Sequence, residues 1–379
     1  MYARYLQKII AKRENDNKAI IIIGARQVGK TTLAESILKG KKYLFIDGDN
    51  PAMRSMLNNP NTEEIKSIIG ENKIVFFDEA QRINNIGITI KIIIDQLKDV
   101  KVYVTGSSAF YLQNSINEPL TGRKWEYQLF PISWEEYEER HSYINSIQQL
   151  ERRLIYGFYP EVLNNTGDEK AILYQLVNSY LYRDIFEFAG IRKPDVLDKL
   201  LKALAFQVGN EVSYNELSQI VGVDKATISR YIHILEQGYI IFRLPSFSKN
   251  LRNEIKRNQK IYFYDNGIRN ALISNFQNME LRMDKGALWE NFLMSERLKQ
   301  NRYKETFTQM YFWRTKQQQE VDLVEVKDGQ ISGFEFKWKA KNQQKLPKSF
   351  VETYQAKSFM IDKANFRDFV IIDAKLDVA

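Results

Sequence analysis

Gly24, Gly29, Lys30 and Thr31 are the residues of this chain whose spacing speaks most directly of chemistry, in the stretch 20–32, IIIIGARQVGKTT. The interval G-x-x-x-x-G-K-T is that of a phosphate-binding loop. In such a loop the backbone N–H groups of Ala25, Arg26, Gln27, Val28, Gly29, Lys30, Thr31 and Thr32 wrap a β-phosphate at a helix N-terminus. Lys30 then reaches the β- and γ-phosphates, and the Thr31 hydroxyl holds Mg²⁺. An acid pair, Asp78 and Glu79, ends the apolar run in KIVFFDEAQR, 73–82. Asp78 is placed to join the Mg²⁺ shell and Glu79 to polarise an attacking water. The cofactors these residues describe are ATP and Mg²⁺. Ser107 or Ser108, after KVYVT at 101–105, stands where ligands meet the carboxyl ends of open α/β sheets. Arg123, in EPLTGRKWEYQLF at 118–130, is a candidate for the arginine that a neighbouring subunit supplies in phosphoryl transfer, against a structural ion pair.

A second centre emerges from strand arithmetic. Asp328-Gly329 favours a tight two-residue hairpin between EVDLVEV (320–326) and ISGFEFKW (331–338). Pairing Lys327 with Gln330 sets Asp322 across from Glu335, with Lys337 on the same face. Facing carboxylates repel unless a cation sits between them. One answer is a divalent metal, with Glu290 as a third oxygen ligand and Lys337 beside a scissile phosphate. The other is Lys337 itself, leaving a salt-bridged sheet surface. Gly333 offers a place for a bulge that would break the register.

The elements that position these residues follow from periodicity. Continuous β-branched residues at 20–23 suit a strand buried on both faces of a parallel sheet, and Leu33, Ala34, Ile37 and Leu38 recur at helical spacing. Residues 2–14 read as a basic amphipathic helix, 43–49 as a strand, 286–298 as an amphipathic helix, and 311–314 and 368–373 as further strands. In the middle, Ser213 caps a helix carrying Leu217 and Ile220, Gly222 turns the chain, and Asp224 caps a second helix. There Ile228, Tyr231, Ile232 and Leu235 form the apolar face, while Lys225, Thr227, Ser229, Arg230 and His233 lie off it. This is the pattern of a winged helix, whose polar face either meets a DNA groove or docks protein. Lys249, Arg252, Lys256, Arg257 and Lys260 form a strip that could follow a phosphate backbone, as do the lysines of 339–348.

GARQVGKTT, FFDEAQR, TGSS and LTGRKWEYQLFPISWEE together resemble the archaeal- and bacterial-type AAA+ ATPases whose C-terminal part is related to PD-(D/E)XK nucleases, a likeness that runs nearly end to end. The resemblance implies the sheet order 5-1-4-3-2, a sensor role for the serine at 107 or 108, and the D…E-x-K constellation at Asp322, Glu335 and Lys337. Arg183 and Asp184 fall at a matching position with no role that chemistry supplies.

Composition sets the outer bounds. At 379 residues the chain exceeds one ordinary core. It has 55 basic and 47 acidic residues, net +8, no cysteine and only His141 and His233, which excludes disulfides and thiolate zinc sites. With no apolar run near ~20 residues, the expectation is a cytoplasmic protein without a membrane partner. The fold class expected is α/β, divided into a P-loop ATPase core (1–133), a helical linker or lid (134–205), a winged helix (206–280) and a PD-(D/E)XK-like α+β domain (281–379). The expected partners are ATP or ADP, DNA and copies of the same chain. Two functions fit: an ATP-hydrolysing enzyme that acts on nucleic acid, or a regulatory ATPase switch whose inactive nuclease-like domain docks a partner.

Overall fold

The computed structural model describes residues 1–107, 119–181, 194–248, 259–339 and 345–371. They fall into two compact units, Met1–Pro131 with Gln237–Tyr239, and Ile132–Glu236 with Ile240–Ala379.

The first unit is built on five parallel strands, β1 (Ala19–Ile23), β2 (Leu44–Asp47), β3 (Ile74–Asp78), β4 (Lys101–Gly106) and β5 (Lys124–Gln128), in the order β2-β3-β4-β1-β5. That is the order the resemblance implies. All five β1 residues are buried, as expected for a strand with β4 on one side and β5 on the other inside a parallel sheet. The helix Lys30–Leu38 begins at once after the glycine loop and buries Leu33, Ala34, Ile37 and Leu38. The N-terminal helix is shorter than its periodicity suggests, Tyr5–Ala11, because Arg4 is extended (φ −103°, ψ 130°) and leaves residues 2–4 outside it.

In the second unit, the helices Tyr214–Val221 and Lys225–Gln237 flank a left-handed Gly222 (φ 79°). Ser213 Oγ accepts from Glu216 N and Asp224 Oδ1 from Thr227 N, the two caps expected from sequence. Ile228, Tyr231, Ile232 and Leu235 are buried, whereas Lys225, Ser229, Arg230 and His233 are exposed. Beside them lies a small antiparallel sheet of β6 (Glu211–Val212), β7 (Ile241–Leu244) and β8 (Gln259–Phe263), ordered β6-β8-β7. A second sheet, β12-β11-β10-β9, is formed by β9 (Gln309–Arg314), β10 (Glu320–Lys327), β11 (Gln330–Phe336) and β12 (Lys357–Ile361).

Two further elements differ from their sequence reading. The helix Lys285–Tyr303 is not amphipathic: it buries residues all around its surface, from Leu288 and Trp289 to Asn291, Glu296 and Lys299. Its polar positions face partners instead of water. Asn291 accepts from Phe263 N (2.7 Å) and donates to Phe263 O (3.0 Å), and Glu296 pairs with Lys299 at 2.6 Å. The expected strand at 368–373 is a helix as far as it is described, Phe366–Val370, because Phe366, Phe369 and Val370 recur at intervals of three and four and pack inward together. Residues 372 and 373 lie outside the described residues.

Candidate functional site: a phosphate loop and its acids

The loop after β1 curls through positive φ at Gly24 (151°), Gln27 (61°) and Gly29 (93°). Gly24 is fixed by crowding, since a Cβ there would stand 2.2 Å from the Leu129 carbonyl oxygen where β5 ends. Lys30 is 5% exposed, and its Nζ donates to the carbonyls of Ala25 (2.8 Å) and Gly24 (3.2 Å). Beneath the loop Arg4 donates from its two terminal nitrogens to Val28 O (2.8 Å) and Phe130 O (2.6 Å). No periodicity argument singles out Arg4, which precedes the helix.

Strand β3 delivers Asp78 to this loop. Thr31 Oγ1 lies 2.9 and 3.0 Å from the Asp78 oxygens, and Thr105 Oγ1 donates to Oδ1 of the same carboxylate. Burial pushes the Asp78 carboxyl above its usual value; the hydroxyls of Thr105 and Thr31 oppose the rise and the charge of Glu79 adds to it. Glu79 then turns left-handed (φ 45°, ψ 43°), a conformation uncommon for glutamate. Gly48 permits that turn, because a Cβ on it would come within 2.3 Å of Glu79 O. The Glu79 carboxylate accepts from Ser107 Oγ at 3.1 Å and from Gln81 Nε2. Of the two candidate serines, Ser107 therefore touches the acid; Ser108 lies outside the described residues. Gly48, Gln81 and Thr105 were missed from sequence, although Gln81 and Thr105 each lie two residues from a position that was singled out and Gly48 lies inside the expected strand 43–49.

Arg123 does not join this group. It donates from Nε to Asp95 Oδ1 at 2.7 Å and holds that carboxyl below its usual range. Lys124 pairs with Ala19 and Gln128 with Ile23, so Arg123 precedes the amino end of β5 while the phosphate loop leaves the carboxyl end of β1. Five strand residues at ~3.3 Å each separate the two ends.

The hairpin register runs as the arithmetic predicts for Lys327↔Gln330 through Leu323↔Phe334. The irregularity lies on the other side of β10, between Val321 and Val324 against β9, and not at Gly333. Gly333 instead makes room for the helix Lys348–Tyr354, since a Cβ there would meet Phe350 Cε1 at 2.7 Å. Asp322 Oδ2 accepts from Phe336 N at 2.7 Å, and burial followed by the charges of Glu290 and Glu335 raises its carboxyl well above the ordinary range. The cations nearest these acids are lysines, with Arg314 farther off at 3.8 Å from Glu320. Lys260, 1% exposed, pairs with Glu290 (3.2 Å) and Glu320 (2.5 Å), Tyr262 Oη donates to Glu290 (2.6 Å), and Lys337 pairs with Glu335 (2.6 Å). Burial works against the charge on Lys260, but Glu290, Asp322 and Glu320 outweigh it and raise its pKa. Among the described residues no group of three or more His, Cys, Asp or Glu is arranged to hold a metal ion. Lys260 was read as part of a phosphate-facing strip; it is buried because it balances these acids. Lys249, Arg252, Lys256, Arg257, Arg183, Asp184 and residues 340–344 lie outside the described residues.

A glycine loop between a buried parallel strand and a helix, faced by a strand-end acid pair, defines a P-loop ATPase domain. Residues 16–138 match the family described as an AAA domain. Residues 147–279 and 285–373 each match a domain of unknown function, DUF8612 and DUF4143. An uncharacterized protein of Mycobacterium tuberculosis is 25% identical over 84% of this chain and 70% of its own length, and one of Methanocaldococcus jannaschii is 24% identical over 78% and 69%. The fold is similar to that of a Walker-type ATPase of Pyrococcus abyssi, at a TM-score of 0.50 and 16% identity, covering 72% of this chain and 96% of that one. Among the described residues no helix is long and apolar enough to cross a membrane.

Proposed function

We propose that the chain binds and hydrolyses ATP at the loop of Gly24 to Thr32 and uses the nucleotide state to alter a binding surface in its second unit. The observation that carries this reading is the Glu79 carboxylate, held by Ser107 beside an Asp78 that reaches the phosphate loop through Thr31. Loop amides and Lys30 bind the phosphates. Glu79 takes a proton from a water whose oxygen bonds to the γ-phosphorus as the bond to the bridging oxygen breaks and ADP leaves. A buried carboxylate and a hydroxyl 2.9 Å apart are a hard oxygen donor set that suits Mg²⁺, so Thr31 and Asp78 would hold it. Magnesium bound there neutralises phosphate charge. Arg123, at the far end of its own sheet, can serve such a site only in a neighbouring copy of the chain.

The exposed face of Lys225, Ser229, Arg230 and His233 supports a winged helix that contacts DNA or protein. For the C-terminal centre, Lys260 and Lys337 already balance Glu290, Glu320 and Glu335, which favours a docking domain over metal-dependent cleavage at Asp322, Glu335 and Lys337. The test is ATP turnover with and without duplex DNA, beside Lys30→Ala, with cleavage assayed in Mg²⁺ and Mn²⁺. Turnover lost in Lys30→Ala, with intact DNA throughout, supports the switch. Cleavage that disappears in Asp322→Ala restores the nuclease.

A further inference from the structure

We infer that Gln81 is a positioning residue of the ATPase site, the group that aims the Glu79 carboxylate; this rests on the reading of Glu79 as the base. Gln81 lies in the single turn Ala80–Arg82 after β3 and is 8% exposed. Its side-chain nitrogen donates to Glu79 Oε2 and, at 2.9 Å, to Ser107 Oγ, while Ser107 Oγ donates to the same Glu79 oxygen at 3.1 Å. The three groups close a triangle. A carboxylate can only accept, so the chemistry fixes which end of the amide faces it: nitrogen inward, oxygen away.

The outward oxygen is buried and has no hydrogen-bond partner among the described residues. A buried polar atom left unsatisfied is costly and is retained where another requirement outweighs it. Here that requirement is two bonds, from one nitrogen, to an acid in a left-handed backbone conformation and to the serine that follows β4. One Glu79 oxygen is thereby occupied and the rotamer fixed, which leaves the second oxygen to receive the proton of the attacking water. Without Gln81, the hold on the carboxylate among the described residues is Ser107, through one bond at 3.1 Å. Gln81 bonds to Glu79 and Ser107 and not to Lys30, Thr31 or Asp78, so its contribution is to turnover and not to nucleotide affinity.

The full-length chain tests this with Gln81→Met, which keeps length and packing but donates nothing, and Gln81→Glu, which keeps shape but sets a second carboxylate against the first. The expected result is an affinity for magnesium ADP within about twofold of wild type and a kcat lower by about 10- to 100-fold, the scale of a misaligned reacting group. Gln81→Glu should be no more active than Gln81→Met. Combining Gln81→Met with Ser107→Ala should cost less than the product of the single losses, since both hold one carboxylate. Wild-type kcat in both Gln81 variants, or a loss of affinity as large as the loss of kcat, overturns the inference. An inactive Glu79→Gln beside an unimpaired Gln81→Met removes this inference alone; a fully active Glu79→Gln removes the base and Gln81's role with it.

Discussion

Thr31 Oγ1 stands 2.9 Å from Asp78 Oδ2, joining the first turn of the loop helix to the end of β3 across 47 residues of sequence. This contact brings the two halves of the nucleotide motif into one pocket. Thr31→Ala should raise the Mg²⁺ concentration needed for half-maximal turnover at least several-fold and leave the fold intact, since only a hydroxyl and a methyl at a half-buried position are removed. Turnover titrated with Mg²⁺ gives the answer, and an unchanged half-point counts against Thr31 as a ligand.

Gly24→Ala should abolish nucleotide binding and lower unfolding stability by more than about 2 kcal/mol, because the added methyl meets the Leu129 carbonyl at 2.2 Å in a backbone conformation that L-residues avoid. Chemical denaturation and ADP titration measure both effects. A variant with wild-type stability would mean the two strands separate at no cost.

Lys260→Met should destabilise the protein by about 3–5 kcal/mol, as expected when one partner of a buried ion pair is removed, since Glu290 loses Lys260 and Glu320 keeps only the longer pair to Arg314 at 3.8 Å. Denaturant midpoints of the two proteins decide the matter. A neutral outcome would imply that the acids are already protonated or solvated.

Asp284 receives hydrogen bonds from Arg282 (2.8 Å) and Arg269 (2.5 Å), and although burial opposes it, these guanidinium groups lower its carboxyl to about 2 from 3.8. A depressed acid contributes stability above its unfolded value and loses it as pH falls through the folded one. Stability should therefore drop between pH ~4 and ~2, with about 2 kcal/mol from this residue alone. Asp284→Asn should remove that share at neutral pH and flatten the acid limb, as followed by denaturation at a series of pH values.

The parts of this molecule that local chemistry determines were legible before any coordinates. Gly24 to Thr32, Asp78 and Glu79 declare themselves because loop, strand and helix lie consecutively, and the hairpin register follows from Asp328-Gly329 because a two-residue turn admits one pairing. What was hidden depends on neighbours distant in sequence. Lys260 looked solvent-facing because nothing near it in the chain announces Glu290 and Glu320, and the polar residues of Lys285–Tyr303 suggested an exposed face for the same reason. Gln81 sits two residues beyond an acid that was noticed, yet only the return of β4 brings Ser107 to it. Gly333 offered a place for a bulge, and its missing side chain instead leaves the space that the helix Lys348–Tyr354 occupies.

The central claim is that Glu79 activates water at a phosphate loop built on Lys30. Steady-state ATP hydrolysis by the full-length protein, measured beside Glu79→Gln together with the ATP affinity of each, tests it most directly. The account predicts a Glu79→Gln protein that binds magnesium ATP as tightly as wild type and turns it over at least about 100-fold more slowly. Equal turnover in the two proteins, or a wild-type protein with no affinity for ATP, would contradict it.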